Sequence, residues 1–196
     1  MTCVVGYFDK KEDCVYLGAD SLGSNGWTKT VYKQKKVFHS KDSNEFIIGL
    51  SGSFNFQALE YETLLDELTL LKNKIDREYL ITKFIPKLKG IIKKYNINKQ
   101  EKEINQMSGS LIFGYKNQLF IIQNDYSLLD TSDNYDAIGC GANVAMGSLY
   151  TTKDMENILT INKIKFALEA AEVICEGVQR PFYIINTKND KVVKIK

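Results

Sequence analysis

Histidine is almost absent from this chain, since His39 is the only one among 196 residues. A Ser-His-Asp or Cys-His catalytic triad needs an imidazole base, so such a triad exists here only if His39 supplies it. Cysteine is also sparse, and its four positions are scattered: Cys3, Cys14, Cys140 and Cys175. They show no C-x-x-C spacing, so neither a zinc site nor a thioredoxin-like pair is indicated. We expect no metal and no cofactor, and any hydrolytic mechanism should use a base other than imidazole.

Long hydrophobic runs and a strong net charge are missing as well. No apolar run approaches the roughly 18 residues of a membrane span, and the N-terminus has no secretory-signal pattern. The formal net charge is only +2, and hydrophobic residues make up 44% of the chain, the balance of a soluble globular protein. We interpret the lysine-rich residues 87–102 as a solvated helix face. The expectation is one domain over residues 1–196, cytoplasmic, with no nucleic-acid or membrane partner.

Strand signals dominate the first third of the chain. Short apolar or alternating runs, separated by polar turns such as residues 9–13, are typical of β-hairpins. The predicted strands span residues 3–8, 14–20, 30–34, 36–40 and 45–51, with a loop at residues 21–28. The strands at 30–34 and 36–40 are predicted to pair with each other. Helical spacing of apolar residues then predicts helices over residues 54–73 and 77–95, the second of them kinked at Pro86.

The second half repeats this order. After a predicted loop at residues 96–106, the patterns indicate strands at 110–115, 118–123 and 135–138, helices at 141–152 and 161–177, and a closing hairpin of residues 182–186 and 191–195. Strands and helices segregated into blocks favour stacked antiparallel sheets with helix pairs outside over a doubly wound parallel sheet. No Gly-x-Gly-x-x-Gly loop occurs, so no nucleotide site is indicated. We therefore predict an α+β fold.

Thr2 is a candidate nucleophile because it lies one peptide bond from a free amino terminus. A threonine hydroxyl is a poor nucleophile at neutral pH and needs a base beside it. Removal of Met1 by methionine aminopeptidase, which the small Thr2 side chain permits, gives Thr2 an α-amino group with a reference pKa of roughly 7.7–8.0. A neighbouring cation would lower that pKa, and a carboxylate would hold the cation in place.

The sequence offers one residue of each kind. Asp20 ends the second predicted strand, and Lys36 lies in a basic cluster that follows the next loop. Taken alone, each has a simpler interpretation, a turn residue for Asp20 and a solvated lysine for Lys36. Spacing by itself therefore does not assign them to a site.

Five short motifs follow one another along the chain: residues 2–6 (TCVVG), 18–21 (GADS), 35–37 (KKV), 48–53 (IGLSGS) and 137–141 (AIGCG). In this order they resemble the successive signatures of proteasome β-type subunits, and most of all those of the bacterial HslV-type peptidase. The resemblance covers nearly the whole chain. It implies the N-terminal-nucleophile (Ntn) hydrolase fold, a four-layer αββα sandwich of two antiparallel sheets between helix layers.

The resemblance also implies roles for the residues that match the motifs. Thr2 matches the nucleophile, Asp20 the carboxylate that orients the site, and Lys36 the cation that tunes the amine. Gly52 matches the glycine whose backbone N–H forms the oxyanion hole, a role that needs close approach of the substrate and no side chain.

Three further residues are expected near this site. Leu50 matches a position close to the substrate side-chain pocket, where an apolar side chain favours apolar residues before the cut. Ser21 follows Asp20 in its motif and is assigned a supporting role. Cys140 stands where the family usually has serine in Gly-Ser-Gly, and we assign it a supporting role as a weaker hydrogen-bonding group.

As a function, the resemblance implies a threonine-type endopeptidase subunit of a self-compartmentalising ring. The implied partners are a peptide or unfolded protein substrate, identical subunits that meet through head-to-tail contacts, and an AAA+ unfoldase ATPase. Two alternatives stay open at this point. One is a catalytically silent ring or scaffold subunit with the same fold, since fold does not guarantee function. The other is an Ntn amidase that acts on a small molecule.

Overall fold

Two five-stranded antiparallel sheets form the centre of the computed structural model, which describes residues 1–24, 27–66, 70, 75–101 and 104–196. The strands are β1 (Val4–Asp9), β2 (Cys14–Ala19), β3 (Leu22–Ser24), β4 (Lys29–Val31), β5 (Val37–Ser40), β6 (Ser43–Gly52), β7 (Asn98–Glu101), β8 (Ile104–Met107), β9 (Gly109–Tyr115), β10 (Gln118–Ile122), β11 (Leu128–Leu129), β12 (Tyr135–Ile138), β13 (Phe182–Asn186) and β14 (Asn189–Ile195). The first sheet has the order β12-β1-β2-β13-β14, and the second has the order β11-β10-β9-β6-β5. Two small hairpins, β3–β4 and β7–β8, complete the strand pairing of the described residues.

Helices follow the first two blocks of strands, and the hairpin β13–β14 comes last. A 3-10 helix spans Phe54–Tyr61, and a longer helix, α1, consists of Arg77–Tyr79, a π-helical turn Leu80–Phe84 and Ile85–Lys94. The C-terminal half carries α2 (Ala142–Thr152) and α3 (Thr160–Ile174). Within the described part of the chain, no helix combines the length and apolarity needed to cross a membrane.

Adjacent residues of β1 face opposite sides of the first sheet, as the two-residue period of a strand requires. Val4 lies in the buried cluster between the two sheets, with Val15 of β2 and Ile112 of β9. Val5 lies in a different buried cluster, which includes Leu168 of α3. The first sheet is therefore covered on one face by the second sheet and on the other by helices.

The second sheet is covered in the same way. Phe46 of β6 and Phe113 of β9 pack with Phe84 and Leu88 of α1 in a third buried cluster, where the Phe84 and Phe113 rings stack with centroids 5.2 Å apart. Three clusters thus fill the three gaps between four layers. The predicted four-layer αββα sandwich, an α+β fold, is confirmed.

Most predicted elements are confirmed within a few residues. The hairpins predicted at residues 3–20 and 110–123 are β1–β2 and β9–β10, and the strand predicted at residues 135–138 is β12. The two C-terminal helices are α2 and α3, although α3 ends three residues earlier than predicted. These elements have clear apolar periodicity and well-defined turns, which are properties of the local sequence.

The prediction for residues 21–40 is wrong in its pairing. β4 pairs with β3, inside the segment predicted as a loop, while β5 pairs with β6. The Tyr32 ring packs edge-on against Phe54 at 5.1 Å and lies over Gly23, which holds β4 against β3. Residues 25–26 of the predicted loop lie outside the described residues.

The helix predicted at residues 54–73 is interrupted in its described part, although Leu70 is helical and its N–H donates to the Asp66 carbonyl at 3.1 Å. The 3-10 helix ends at Tyr61, and Glu62 has an extended backbone. The Asp42 carboxylate accepts hydrogen bonds from the backbone of Leu64 (2.6 Å) and Leu65 (2.9 Å), so these amides bond to a side chain from another part of the chain. Residues 67–69 and 71–73 of the prediction lie outside the described residues.

The loop predicted at residues 96–106 contains the hairpin β7–β8. The sequence of these strands is mostly polar, so it gives no apolar alternation to detect. Residues 102–103 lie outside the described residues. The irregularity expected near Pro86 occurs as the π-helical turn just before it, because proline donates no backbone hydrogen bond to the preceding turn.

Candidate active site

Thr2 lies immediately before β1 and is almost completely buried, with 3% of its surface exposed. Its hydroxyl Oγ1 donates to the carbonyl oxygen of Met1 at 2.5 Å. Its backbone N–H donates to Sγ of Cys140 at 3.3 Å, and its carbonyl oxygen accepts from the backbone of Gly141 at 3.2 Å. The loop before α2 therefore fixes the backbone of Thr2 and leaves its hydroxyl beside the Met1–Thr2 peptide bond.

Asp20 directly follows β2 and faces Cys3 across the β1–β2 pair, where Val4 is opposite Ala19. Its Oδ1 accepts from the backbone N–H of Cys3 at 2.9 Å, and its own N–H donates to the Cys3 carbonyl at 3.3 Å. Its Oδ2 accepts from the backbone of Leu22 at 2.9 Å. Asp20 has no exposed surface, so these bonds replace its hydration and fix the carboxylate next to Thr2.

Lys36 lies just before β5 and is the partner of Asp20. Its Nζ donates to Asp20 Oδ1 at 2.8 Å and to the Met1 carbonyl oxygen at 3.3 Å. Only 6% of Lys36 is exposed, and this burial lowers the pKa of its ammonium group, while the charge and hydrogen bond of Asp20 act in the opposite direction. Lys36 is thus a buried cation whose charge is balanced by a single buried carboxylate in direct contact.

A cavity of about 250 Å³ opens on this cluster. Its wall includes Thr2 and Lys36, together with Leu50 and Gly52 from the end of β6. The remaining lining residues are Met1, Gly23, Ser24, Lys35, Ser53, Phe54 and Gln57. The structure therefore brings Thr2, Lys36, Gly52 and Leu50 together around one cavity, although they are up to 50 positions apart in sequence, and Asp20 lies behind this wall as the partner of Lys36.

Gly52 has a positive φ of 116°, a conformation that side-chain-bearing residues rarely adopt. A Cβ atom at this position would lie 2.0 Å from the carbonyl oxygen of Ser108. The backbone at this cavity wall therefore requires glycine.

We expect Gly52→Ala to lower the free energy of unfolding by about 2 kcal/mol or more, because strain adds to the clash with the backbone. Gly90 is the matched control: it lies in α1 with nothing within 4 Å of an added Cβ. Gly90→Ala should stabilise the protein by roughly 0.5–1 kcal/mol. Urea unfolding of both variants measures the contrast, and equal effects of the two substitutions would refute the special backbone requirement at Gly52.

The two predicted supporting residues lie in different places. Ser21 is buried and donates from Oγ to the carbonyl of Pro181 at 2.5 Å, so it ties the end of β2 to the segment before β13. Cys140 contacts Thr2 directly through two hydrogen bonds. Its Sγ accepts from the Thr2 N–H, and its thiol donates to the Thr2 carbonyl oxygen at 3.4 Å. Ser21 therefore contacts the segment before β13, and Cys140 contacts the candidate nucleophile.

His39 makes its contacts elsewhere. Its Nε2 lies 3.1 Å from the carbonyl oxygens of Asn186 and Asn189, at the edge formed by β13 and β14. It is not part of the cavity wall around Thr2. The only imidazole of the chain is thus engaged with backbone carbonyls.

Local sequence patterns predict neither of two further contacts at this site. Sγ of Cys175 lies 3.2 Å from Sγ of Cys140, and the backbone N–H of Gln179 donates to Asp20 Oδ2 at 3.4 Å. Both residues belong to the segment after α3. Their distance from the site in sequence, and the absence of any motif around them, explains why local patterns do not predict them.

No protein-family model and no curated protein matches the chain. Solved structures do match. One is BPH from Thiobacillus denitrificans in complex with epoxomicin, with 16% identity over the whole of both chains and a TM-score of 0.73. Another is eukaryotic HslV from Trypanosoma brucei, with 16% identity over 94% of this chain and 98% of that chain and a TM-score of 0.68.

A third match is Anbu, an ancestral β-subunit, from Yersinia bercovieri, with 13% identity over 100% of this chain and 87% of that chain and a TM-score of 0.68. At such low identity these likenesses show the fold alone. They confirm that the chain has the fold of HslV-type and ancestral β-subunit proteins, as the resemblance of its sequence motifs implies.

Proposed function

We propose that this protein is a threonine-type endopeptidase subunit in which Thr2, freed by removal of Met1, is the nucleophile. The observation that supports the proposal is that two functional groups contact the same carbonyl oxygen, that of Met1. The Thr2 hydroxyl and the Lys36 ammonium both reach the Met1 carbonyl oxygen, at 2.5 and 3.3 Å, beside the cavity. A nucleophile and a cation thus already surround a carbonyl group at this position.

Loss of Met1 turns the backbone nitrogen of Thr2 into an α-amino group. This amine can take the proton of Oγ1 as the hydroxyl attacks a peptide carbonyl, and can pass it to the leaving amine. The nearby charge of Lys36 disfavours the ammonium form of the amine, which keeps it available as a base. Asp20 holds Lys36 in place through the 2.8 Å ion pair.

The cavity wall supplies the other needs of the reaction. The backbone N–H of Gly52 is assigned to the oxyanion hole, because the positive φ and the missing side chain let a substrate carbonyl approach closely. Leu50 is assigned to the pocket for the substrate side chain. An apolar wall there favours apolar residues before the cleaved bond, whose hydrolysis proceeds through an acyl ester on Thr2 and its release by water.

We further propose that identical copies form a ring that an AAA+ unfoldase serves. Exposed apolar side chains at the end of α3 support contacts between copies, since Val173 is 81% and Ile174 69% exposed. Closed rings need head-to-tail contacts between different faces of the same chain. Native mass spectrometry should give a mass several times that of the chain, and a monomer under all conditions would contradict the ring.

The decisive experiment compares two preparations that differ only at the Met1–Thr2 bond. One carries Met1, and the other begins at Thr2 after cleavage of a removable N-terminal fusion; intact mass verifies each. We expect the Thr2 form to hydrolyse fluorogenic peptides with apolar residues at least a hundredfold faster, on the scale that general-base catalysis contributes. Epoxomicin, which is bound in the T. denitrificans BPH structure, serves as an inhibitor probe for the same form.

Other outcomes of this experiment would identify one of the two alternative functions. A ring that binds epoxomicin weakly and hydrolyses no peptide in the Thr2 form would identify a catalytically silent subunit. Hydrolysis of small amides without hydrolysis of peptides would identify a small-molecule amidase. Equal peptide hydrolysis by both preparations would refute the α-amino group as the base.

A further inference from the structure

Two cysteines meet beside the candidate site. Cys140 lies in the turn before α2 and Cys175 at the end of α3, and their Sγ atoms are 3.2 Å apart. Cys140 is exposed and Cys175 is partly exposed, whereas Cys3 and Cys14 are buried. Solvent-borne reagents therefore reach this pair and are excluded from the other two thiols.

The pair is joined to Thr2 through Cys140. The Cys140 thiol donates to the Thr2 carbonyl oxygen at 3.4 Å, while its sulfur accepts from the Thr2 N–H at 3.3 Å. The segment that follows Cys175 also touches the site, since a Cβ atom at Gly177 would lie 2.5 Å from Met1 and Gln179 N–H donates to Asp20. A change in the sulfur pair is thus transmitted directly to the backbone of the candidate nucleophile.

We propose that Cys140 and Cys175 are a modification site, at which hydrogen peroxide forms a disulfide that alters the Thr2 site. One thiol, as thiolate, attacks the peroxide and becomes a sulfenic acid as the O–O bond breaks and water leaves. The second thiol then attacks that sulfur, forms the S–S bond and releases another water. Two thiols lose two electrons and two protons, and one peroxide is reduced to two waters.

The geometry is suited to this step. A disulfide needs the sulfur atoms about 2.0 Å apart, so a separation of 3.2 Å closes by small side-chain rotations. Both residues lie at helix ends, where the backbone adjusts more easily than in the middle of an element. The pair is therefore close enough to form the bond without rearrangement of the α2–α3 packing.

The protonation state of the Cys140 thiol determines how the oxidation depends on pH. Burial raises the pKa of the Cys140 thiol, and its hydrogen bond with Cys175 raises it further. Since the thiolate is the reacting form, oxidation should be slow near neutral pH and faster as pH rises.

The disulfide removes the thiol proton that Cys140 donates to the Thr2 carbonyl. The consequence for catalysis rests on the proposed function. Loss of one such hydrogen bond corresponds to roughly a threefold to tenfold lower kcat/KM, if the bond positions Thr2 for attack. Cys140 acts through Thr2 in this scheme and is a positioning residue.

The test treats the full chain with hydrogen peroxide at pH 8.5, blocks remaining thiols and maps the disulfides by mass spectrometry. Wild type should lose two hydrogens and give one cross-linked peptide pair containing Cys140 and Cys175. Cys14→Ser, the control for a buried thiol, should behave as wild type, and Cys175→Ser should give no cross-link. The purified cross-linked protein should show the lower kcat/KM, restored by dithiothreitol.

Two results overturn the proposal. One is free, alkylatable Cys140 and Cys175 in wild type after peroxide treatment. The other is a fully cross-linked protein with the kcat/KM of the reduced protein, which would separate the disulfide from the Thr2 site. Absence of any peptide hydrolysis in the reduced protein would refute the proposed function instead, and the mass measurement would still decide whether the disulfide forms.

Discussion

Replacement of Thr2 by alanine is expected to abolish peptide hydrolysis, with kcat/KM falling by at least about a thousandfold. The hydroxyl that donates to the Met1 carbonyl at 2.5 Å is the only part of the side chain with the chemistry of a nucleophile. Alanine is also small enough for Met1 to be removed, so the amino terminus is processed as in wild type. Fluorogenic peptide assays with preparations of verified intact mass measure the effect.

Thr2→Ser is the matched control for this experiment. Serine keeps the hydroxyl and the α-amino group and loses only a methyl group, so we expect kcat/KM within about tenfold of wild type. Urea unfolding should show both variants within about 1 kcal/mol of wild type, because each loses only one or two small groups at the first residue of the processed chain. Undiminished hydrolysis by Thr2→Ala would show that another group is the nucleophile.

Asp20→Asn is expected to have the largest effect on stability, a loss of about 3–5 kcal/mol at neutral pH. Asparagine has nearly the shape of aspartate, but it leaves the buried ammonium of Lys36 without its counter-charge at 2.8 Å. Removal of one partner of a buried ion pair lowers the free energy of unfolding far more than removal of both partners does. The midpoint of urea unfolding reports the loss.

The double variant Asp20→Asn with Lys36→Met tests this cause. If the uncompensated charge is responsible, the double variant should recover a large part of the stability that Asp20→Asn loses, which a double-mutant cycle quantifies. Recovery of stability without recovery of peptide hydrolysis is expected, because the amine of Thr2 then lacks its neighbouring cation. A double variant no more stable than Asp20→Asn would contradict the explanation.

The pH dependence of Asp20→Asn follows from the same charge. Burial lowers the pKa of Lys36, and the loss of Asp20, which raises that pKa, lowers it further. Between the lowered pKa of Lys36 in the folded state and the ordinary value of 10.5, the unfolded chain binds more protons than the folded one, so the stability of this variant should rise with pH across that interval. The double variant lacks the lysine and should not show this rise.

The fold explains why a pair of buried charges is tolerated here. Thr2 and Asp20 lie at the ends of β1 and β2, where the cluster between the sheets gives way to the cavity. Backbone N–H groups of Cys3 and Leu22 satisfy the carboxylate, so its burial does not leave unpaired oxygen atoms. The apolar core thus holds the charged residues rigidly at its edge, where they adjoin the cavity.

The sequence by itself determined the elements whose patterns are local. The β1–β2 and β9–β10 hairpins, β12, α2 and α3 follow from apolar periods of two and 3.6 residues and from turns between them. Their segregation into blocks predicted the layered αββα architecture. Thr2, Asp20 and Lys36 were selected as candidates because their motifs occur in one order along the chain. The structure places Thr2 and Lys36 in contact with the same Met1 carbonyl oxygen, and Asp20 in contact with Lys36.

Only the tertiary structure decided the rest, because it depends on partners that are distant in sequence. Asp42 reaches the backbone 22 and 23 residues away and directs it out of the predicted helix, and polar β7 and β8 pair without an apolar pattern. The burial that makes Lys36 and Asp20 a strong pair, and the contact of Cys140 with Cys175 across 35 residues, exist only when the layers are assembled. Contacts between residues that are distant in sequence leave no local periodic pattern, so they cannot be predicted from the sequence around each residue.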